Sequence, residues 1–493
     1  VAALSTYSGA AIQLTWSGSD NPGGSGIASY SVYVSNNGGP FVPFLTDTTQ
    51  TSATFQGQNG HVYGFYSVAT DAIGNQEAAP SQAEAVTQVD AVPPTSQVAA
   101  LPALSSITFQ LTWSGNNPGP APIVSYDIYV SDNGGPFTAF ARGTTQTSIT
   151  FQGQPGHTYG FYSVATDAAG NVQATPAAAQ ATTSVPLHVY VTGADAGGGP
   201  EVKVFSADTG QLLLDFFAFS PSFTGGVRVA VGYLQGNGTP DIICAPGPGG
   251  GPNISVFNGL TGQRLAGPLG SFFAFDPHFS GGLYVAAGDV YGTGYDDIIV
   301  GADSGGGPNV TVFDGQSGNR VSSFFAYNPF FTGGVRVAAG DLNGDGHDQI
   351  ITGAGPGGGP NVSIFDAAGN LLNGFFAYNP SFAPGIYVAA GDLNGAAQAD
   401  IITGPGAGGG PQVSVFAEDG TPLGGYFAFD PSFTGGVRVA AATNADGTAN
   451  VIAVQGPGGG PQVSIVSGPT LEQIDSFFAY NALFSGGLFV AGN

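Results

Sequence analysis

The sequence predicts an all-β chain in three parts: two β-sandwiches, residues 1–90 and 91–185, then a six-bladed β-propeller over 186–493. Three observations carry this. Residues 1–90 and 91–185 repeat one another. After residue 186 a Gly-Gly-Gly-Pro run recurs with its proline at 200, 252, 308, 360, 411 and 461, and a spacing of about 50 residues marks propellers and solenoids. Glycine (83) and proline (35) also fall at fixed places between β-branched and aromatic runs, which argues against low-complexity disorder.

In the first two parts, IQLTWSGSDNPGGSGIASYSVYVSNNGGPF (12–41) returns as FQLTWSGNNPGPAPIVSYDIYVSDNGGPF (109–137). Short alternating runs between Asn, Gly and Pro turns give the strand spacing of a sandwich. Trp16 and Trp113 are its natural core aromatics, and Asn37-Gly38 and Asn133-Gly134 are hairpin signals. With YGFYSVATD at 63–71 and 159–167, both units resemble fibronectin type III domains. The resemblance implies that Tyr63 and Tyr159 are corner tyrosines whose hydroxyls tie back to nearby backbone. It also implies a spacer or adhesive role, although no Arg-Gly-Asp tripeptide is present. VPPTS (92–96) and Val185-Pro186 mark short, semi-rigid joints.

Each later period holds four strand candidates, a VRVAAG run, a DIIxGAG run, an NVSVF run and an FFAF run, the content of one propeller blade. Small Ala and Gly in the first suit a crowded axis, and bulky aromatics in the last suit the place where blades splay, so the order runs inner to outer. GLFVAGN (487–493) ends the chain as an inner strand alone, while HVYVTGAD, EVKVF and DFFAF (188–219) lack one. Pairing the two ends closes the ring and removes open edges. One inner-strand position reads Arg228, Tyr284, Arg336, Tyr387, Arg438, Phe489, which predicts guanidinium–ring pairing between neighbours.

The stretch GDLNGDGHDQ (340–349) sets oxygen side chains at alternate positions, Asp341, Asn343 and Asp345, with Gly344 and Gly346 letting the chain curl. That suits Ca²⁺, which takes six to eight oxygens; a metal-free Asx-type turn is the alternative. Position twelve is Thr352, so this is no EF-hand. DLNGDG followed by IITGAG is similar to the FG-GAP repeats of integrin α-chain propellers and bacterial surface proteins. The resemblance implies ligation by Asp341, Asn343, Asp345, the His347 carbonyl and Gln349, the last standing where the family usually has Asp. Other copies are eroded: Asp289 and Asp297 persist around Tyr291 and Thr293, Asp392, Asn394 and Asp400 around Ala396, and the copies at Tyr233 and Thr443 lack the first ligand.

Other chemistries find little support. GAGPGGG (353–359) leads into a strand, with no helix and no P-loop lysine, so turns explain it better than phosphate binding. Asn253, Asn309 and Asn361 head glycosylation triplets at one repeat position, where repetition is the simpler cause. Five scattered histidines and the lack of HExxH or GxSxG give no catalytic set. Formal charge is −25, yet only 8 % of residues are charged, and Lys203 is the sole lysine. Nucleic acid and anionic membranes both need clustered cations, and no apolar run approaches the ~18 residues of a membrane-spanning helix. Cys244 is alone, so no intrachain disulfide forms. The absence of methionine points to a mature form or a fragment.

The expectation is therefore a non-catalytic extracellular or cell-surface structural or adhesion protein, calcium-loaded at 341–349, binding an extracellular protein or glycan and capable of self-assembly. A lectin-like propeller is the first alternative. A fragment of a polysaccharide-active enzyme is the second.

Overall fold

A computed structural model describes all 493 residues, which divide into two compact units, 1–153 with 157–184 and 154–156 with 185–493. Strands make up the architecture, and the one helical piece is the three-residue turn Pro268–Gly270. No helix is long and apolar enough to cross a membrane.

The first unit holds two sandwiches. In the first, strands Tyr7–Ser8, Ala85–Val89, Val62–Asp71, Ile27–Asn36 and Val42–Thr48 form one sheet in that order, and Ala11–Thr15 pairs with Ser52–Gln56 in the other. Alternation decides the register, because successive side chains of a strand point to opposite faces. Ile12 and Leu14 therefore turn inward with Trp16, while Ala11, Gln13 and Thr15 face solvent. Trp113 is buried in the same way in the second sandwich. Asn37 and Gly38 both have positive φ (49° and 72°), as do Asn133 and Gly134 (49° and 70°), the conformation that a two-residue hairpin turn needs. The Gln58 N–H donates to the Tyr63 hydroxyl at 3.0 Å, so this corner tyrosine ties back as its motif implied. Tyr159 is buried and packs edge-on against Phe151.

Asp90 fixes the joint between the sandwiches. Its carboxylate accepts from Asn117 Nδ2 and the Ala121 N–H, both at 3.0 Å, and Asn171 Nδ2 donates to its backbone carbonyl at 2.9 Å. A buried carboxylate is tolerated because each oxygen is hydrogen-bonded.

The second unit is six four-stranded antiparallel sheets. In five of them the strands follow chain order, as in Val335–Gly340, Gln349–Ala354, Asn361–Phe365 and Leu371–Phe376. The remaining sheet joins the two ends of the unit. Leu488–Gly492 lies antiparallel beside Val189–Ala194, with Tyr190 opposite Gly492 and Ala194 opposite Leu488. This sheet is numbered first below and the others follow in chain order. The leading strands surround a space of about 90 Å³ lined by Val229, Val285, Val337, Val388, Val439 and Val490, with alanines beside them.

Burial falls outward along each sheet. The second strands, such as Asp297–Ala302 and Gln349–Ala354, are buried at every residue in five of the six sheets, whereas the fourth strands, such as Arg320–Phe325 and Leu371–Phe376, are mostly exposed. Neighbouring sheets approach closely at Gly301, where a Cβ would lie 2.4 Å from the Val335 carbonyl oxygen. Only glycine allows that contact. The fourth strand of the second sheet is cut to Ser271–Phe273, following the Pro268–Gly270 turn.

Candidate functional site

The loop 341–349 joins a first strand to a second, and Gly344 and Gly346 (φ 75° and 82°) curl it. The Asp341 carboxylate accepts from Gly344 N at 2.7 Å, Asp345 N at 3.2 Å and Gly346 N at 2.8 Å. Asp345 N donates to Asn343 Oδ1 and Asn343 Nδ2 to Asp345 Oδ2, while His347 N donates to Asp345 Oδ1. Gln349 Nε2 donates to the His347 carbonyl at 2.9 Å, and its Oε1 accepts from Leu342 N at 2.8 Å.

All five expected residues thus share one loop, but they are not equivalent. Oxygens of Asp341, Asn343, Asp345 and the His347 carbonyl suit a hard cation. Gln349 does not, because its N–H points at the carbonyl meant to ligate and its oxygen already holds a buried backbone donor. The remaining set could hold Ca²⁺ at lower charge.

Two copies dismissed as eroded contain something the motif count missed. Asp297, at the ninth position of the loop from Asp289, is 3 % exposed, and its Oδ2 has no partner. Asp241 holds the same place in the copy lacking its first ligand. Gln235 Nε2 reaches its Oδ1 at 2.8 Å and its Oδ2 has none. Burial pushes Asp297 up to about 6 and Asp241 up to about 7, since desolvation disfavours the charged form. The signal in the sequence was the Asp opening each DII run.

Position eight links consecutive sheets. Asp348 Oδ2 accepts from Asp289 N at 3.0 Å, and Asp296 Oδ2 accepts from Tyr233 N at 2.8 Å. Burial, then the charge of Asp296, pushes Asp348 up to about 7.

At the axis, Arg228, Arg336 and Arg438 are each 5 % exposed and alternate with Tyr284, Tyr387 and Phe489. Each guanidinium lies over two rings of the set, at 4.0–5.6 Å, within reach for cation–π attraction. The three rings meet edge-on, with centroids 6.2–6.3 Å apart. Arg228 also pairs with Asp303 at 3.0 Å, and Arg438 pairs with Asp195. Burial would raise the Tyr387 phenol, but Arg438 and Arg336 outweigh it and hold it down to about 8. The sequence pointed to the ring pairing and missed both carboxylates.

The outer strands carry the reverse pattern. Phe217, Phe273, Phe325, Phe376, Phe427 and Phe478 occupy one position in the six sheets, and each is about half exposed or more. Leu371, Leu372, Leu423 and Ile474 add apolar surface beside them. Between the second and third sheets, where the fourth strand is short, a cleft of about 630 Å³ is lined by Phe273, Phe279, Phe325, Asn309, Ser323 and Arg320. No group of three or more His, Cys, Asp or Glu side chains is placed to hold a metal. Cys244 is fully buried.

No protein-family model matches the chain. Among curated proteins it is similar to exoglucanase B of Cellulomonas fimi, 30 % identical over 288 residues, covering 54 % of this chain and 25 % of that protein. It is also similar to chitinase A1 of Niallia circulans, 35 % identical over 173 residues, covering 33 % of this chain and 22 % of that one. The chain thus spans about a quarter of the length of these relatives. Among solved structures, the fibronectin(III)-like modules of Clostridium thermocellum CbhA cover 38 % of this chain and 90 % of their own, at 16 % identity and TM-score 0.25. The β-propeller domain of Myceliophteria thermophila Cps50 (Swd1) covers 59 % and 90 %, at 9 % identity and TM-score 0.35.

Proposed function

We propose that this is a non-catalytic extracellular or cell-surface protein in which two fibronectin type III-like modules carry a closed six-bladed propeller of the FG-GAP kind. The propeller joins other protein surfaces through its rim. One observation carries this reading: the same phenylalanine is exposed on the outer strand of all six sheets. Each outer strand thus presents a half-exposed phenyl ring, with Leu371, Leu372, Leu423 and Ile474 exposed on the same strands, and an uncovered edge strand offers unpaired backbone groups to a partner. Ring closure is supported by the pairing of Leu488–Gly492 with Val189–Ala194 and by the alternating Arg–aromatic set at the axis.

The test is association. Sedimentation of the full chain should show concentration-dependent self-association or retention on cell-surface protein, and Phe325→Ser with Phe376→Ser and Phe427→Ser should abolish it. A chain that stays monomeric and unretained, with or without these substitutions, would reject the rim as an interface.

Calcium at Asp341, Asn343, Asp345 and the His347 carbonyl belongs to the same reading. A hundredfold excess over the dissociation constant would raise stability by about 2.7 kcal/mol. A chelator that leaves the melting of wild type and Asp345→Ala equally unchanged would remove calcium from it.

The 630 Å³ cleft favours a second reading, a glycan-binding propeller. Phe273 and Phe325 offer exposed ring faces, with Asn309, Ser323 and Arg320 as polar partners. The curated relatives, an exoglucanase and a chitinase by name, support a place for the sandwiches as accessory modules beside polysaccharide-active domains.

A further inference from the structure

The cleft between the second and third sheets exists because one repeat is irregular. Residues 265–270 stand between Arg264 and Ser271, where the third sheet has only Val321 and Ser322 between Arg320 and Ser323. The added residues loop out, so the fourth strand of the second sheet pairs only with Asn253, Ile254 and Ser255. They also carry Leu269 across to the third sheet, where a Cβ on Gly318 would lie 3.5 Å from the Leu269 Cδ2. Phe279 closes against that sheet as well, since a Cβ on Gly306 would lie 2.7 Å from the Phe279 Cζ, and its ring meets Phe275 edge-on at 6.0 Å. The result is a recess of about 630 Å³ with fixed walls, within the roughly 300–1,000 Å³ of small-molecule sites.

Its lining sets ring faces beside hydrogen-bond donors. Phe273 and Phe325 are 56 % and 52 % exposed. Thr311 and Ser323 both donate their hydroxyls to Asn309 Oδ1, at 2.9 and 3.4 Å, so the amide oxygen is taken and Nδ2 is left to donate to a ligand. Arg320 is exposed and joins no ion pair. Asp276, the one acidic lining residue, accepts from the backbone N–H of His278 and bonds its Nδ1, both at 2.9 Å. Arginine and aspartate thus balance within the cleft, while the chain around it carries a formal −25, a field that repels polyanions.

We infer that this cleft binds a short uncharged oligosaccharide, one sugar ring lying against Phe273 or Phe325 and its hydroxyls accepting from Asn309 Nδ2 and the Arg320 guanidinium. A pyranose carries C–H groups on its faces and hydroxyls around its edge. The negative face of a phenyl ring attracts the first, and fixed amide and guanidinium donors hold the second. The inference rests on the glycan-binding reading of the cleft and adds the class of glycan; it is independent of what the other outer strands bind.

The test is calorimetric titration of the full chain with cellohexaose, mannohexaose and maltohexaose, and with hexagalacturonate at equal ionic strength. At least one uncharged probe should bind one to one, and hexagalacturonate more weakly. Asn309→Ala and Phe273→Ser should each weaken that binding about tenfold, the scale of one lost hydrogen bond or contact, while Phe427→Ser, on the fifth sheet, leaves it unchanged. Should either variant fail to fold, the exposed Arg320→Met supplies the same comparison. Binding unaltered by these cleft substitutions would overturn the cleft as the seat. Tighter binding of hexagalacturonate, lost in Arg320→Met, would overturn the uncharged class and leave the glycan-binding reading standing. Binding of none of the four probes would remove both.

Discussion

The two ends of each propeller sheet invert the usual rule of burial. At the axis a guanidinium is buried to 5 % exposure, while at the rim a phenylalanine stands about half exposed or more in every sheet. The difference teaches that burial here follows position in the repeat more than polarity. The first strands together line one narrow space, so the side chains between them are enclosed and must be satisfied by their neighbours. Fourth strands have no further strand beside them, so even a phenyl ring stays wet. Charge at the axis is tolerated through ring faces and aspartates, and apolar surface at the rim is an opening for partners.

The largest test of this contrast is to open the ring. Deleting 486–493 removes Leu488, Phe489 and Val490, all buried, at roughly 1.5–3 kcal/mol each, a total comparable with the whole stability of a domain. The truncated chain should lose cooperative propeller unfolding in calorimetry and associate through the bared Val189–Ala194 edge. Melting identical to the full chain would mean that closure contributes nothing.

Next comes a single axial pair. Arg438→Met leaves Asp195 buried without its partner, and removing one member of such a pair costs about 3–5 kcal/mol. Denaturant unfolding should register that loss. A cost below about 1 kcal/mol would show that the pair contributes little net stability.

The pH dependence sharpens the comparison away from both ends. Asp241 is fully buried, and its carboxyl is pushed up to about 7, against about 3.9 unfolded. Its neutral form contributes stability in full below pH 4, and that contribution is lost as pH rises through 7, because the unfolded state releases the proton first. The wild type should therefore fall relative to Asp241→Asn by about 2–4 kcal/mol between pH 4 and 7 and run parallel to it above pH 8. Urea midpoints across that range measure it, and a constant difference at every pH would contradict the burial argument.

The smallest effect belongs to the rim. Phe376→Ser should change the stability of the monomer by no more than about 0.5 kcal/mol, as surface substitutions do. A loss above about 2 kcal/mol would mean that the ring is part of the core.

Periodicity and spacing were enough, in the sequence alone, to define the strands, their inner-to-outer order and the complementary ends of the repeat unit, because one residue pattern returns six times and hydrophobic alternation is a local signal. The same is true of Trp16 and Trp113, the Asn-Gly hairpins and the hydrogen-bonded turn that Asp341, Asn343 and Asp345 make together. Only the tertiary structure decided which polar groups meet. Asp303 reaches Arg228 across 75 positions of sequence and Asp195 reaches Arg438 across 243, and no local pattern connects them. Gln349 turned from ligand to clasp because a buried backbone N–H, that of Leu342, lay within reach of its oxygen. Exposure of the six phenylalanines was equally hidden: the FFAF run reads as an outer strand, but which of its rings meets solvent depends on the absence of a fifth strand beside it. Local chemistry chose the elements, and the packing of the sheets against one another chose their partners.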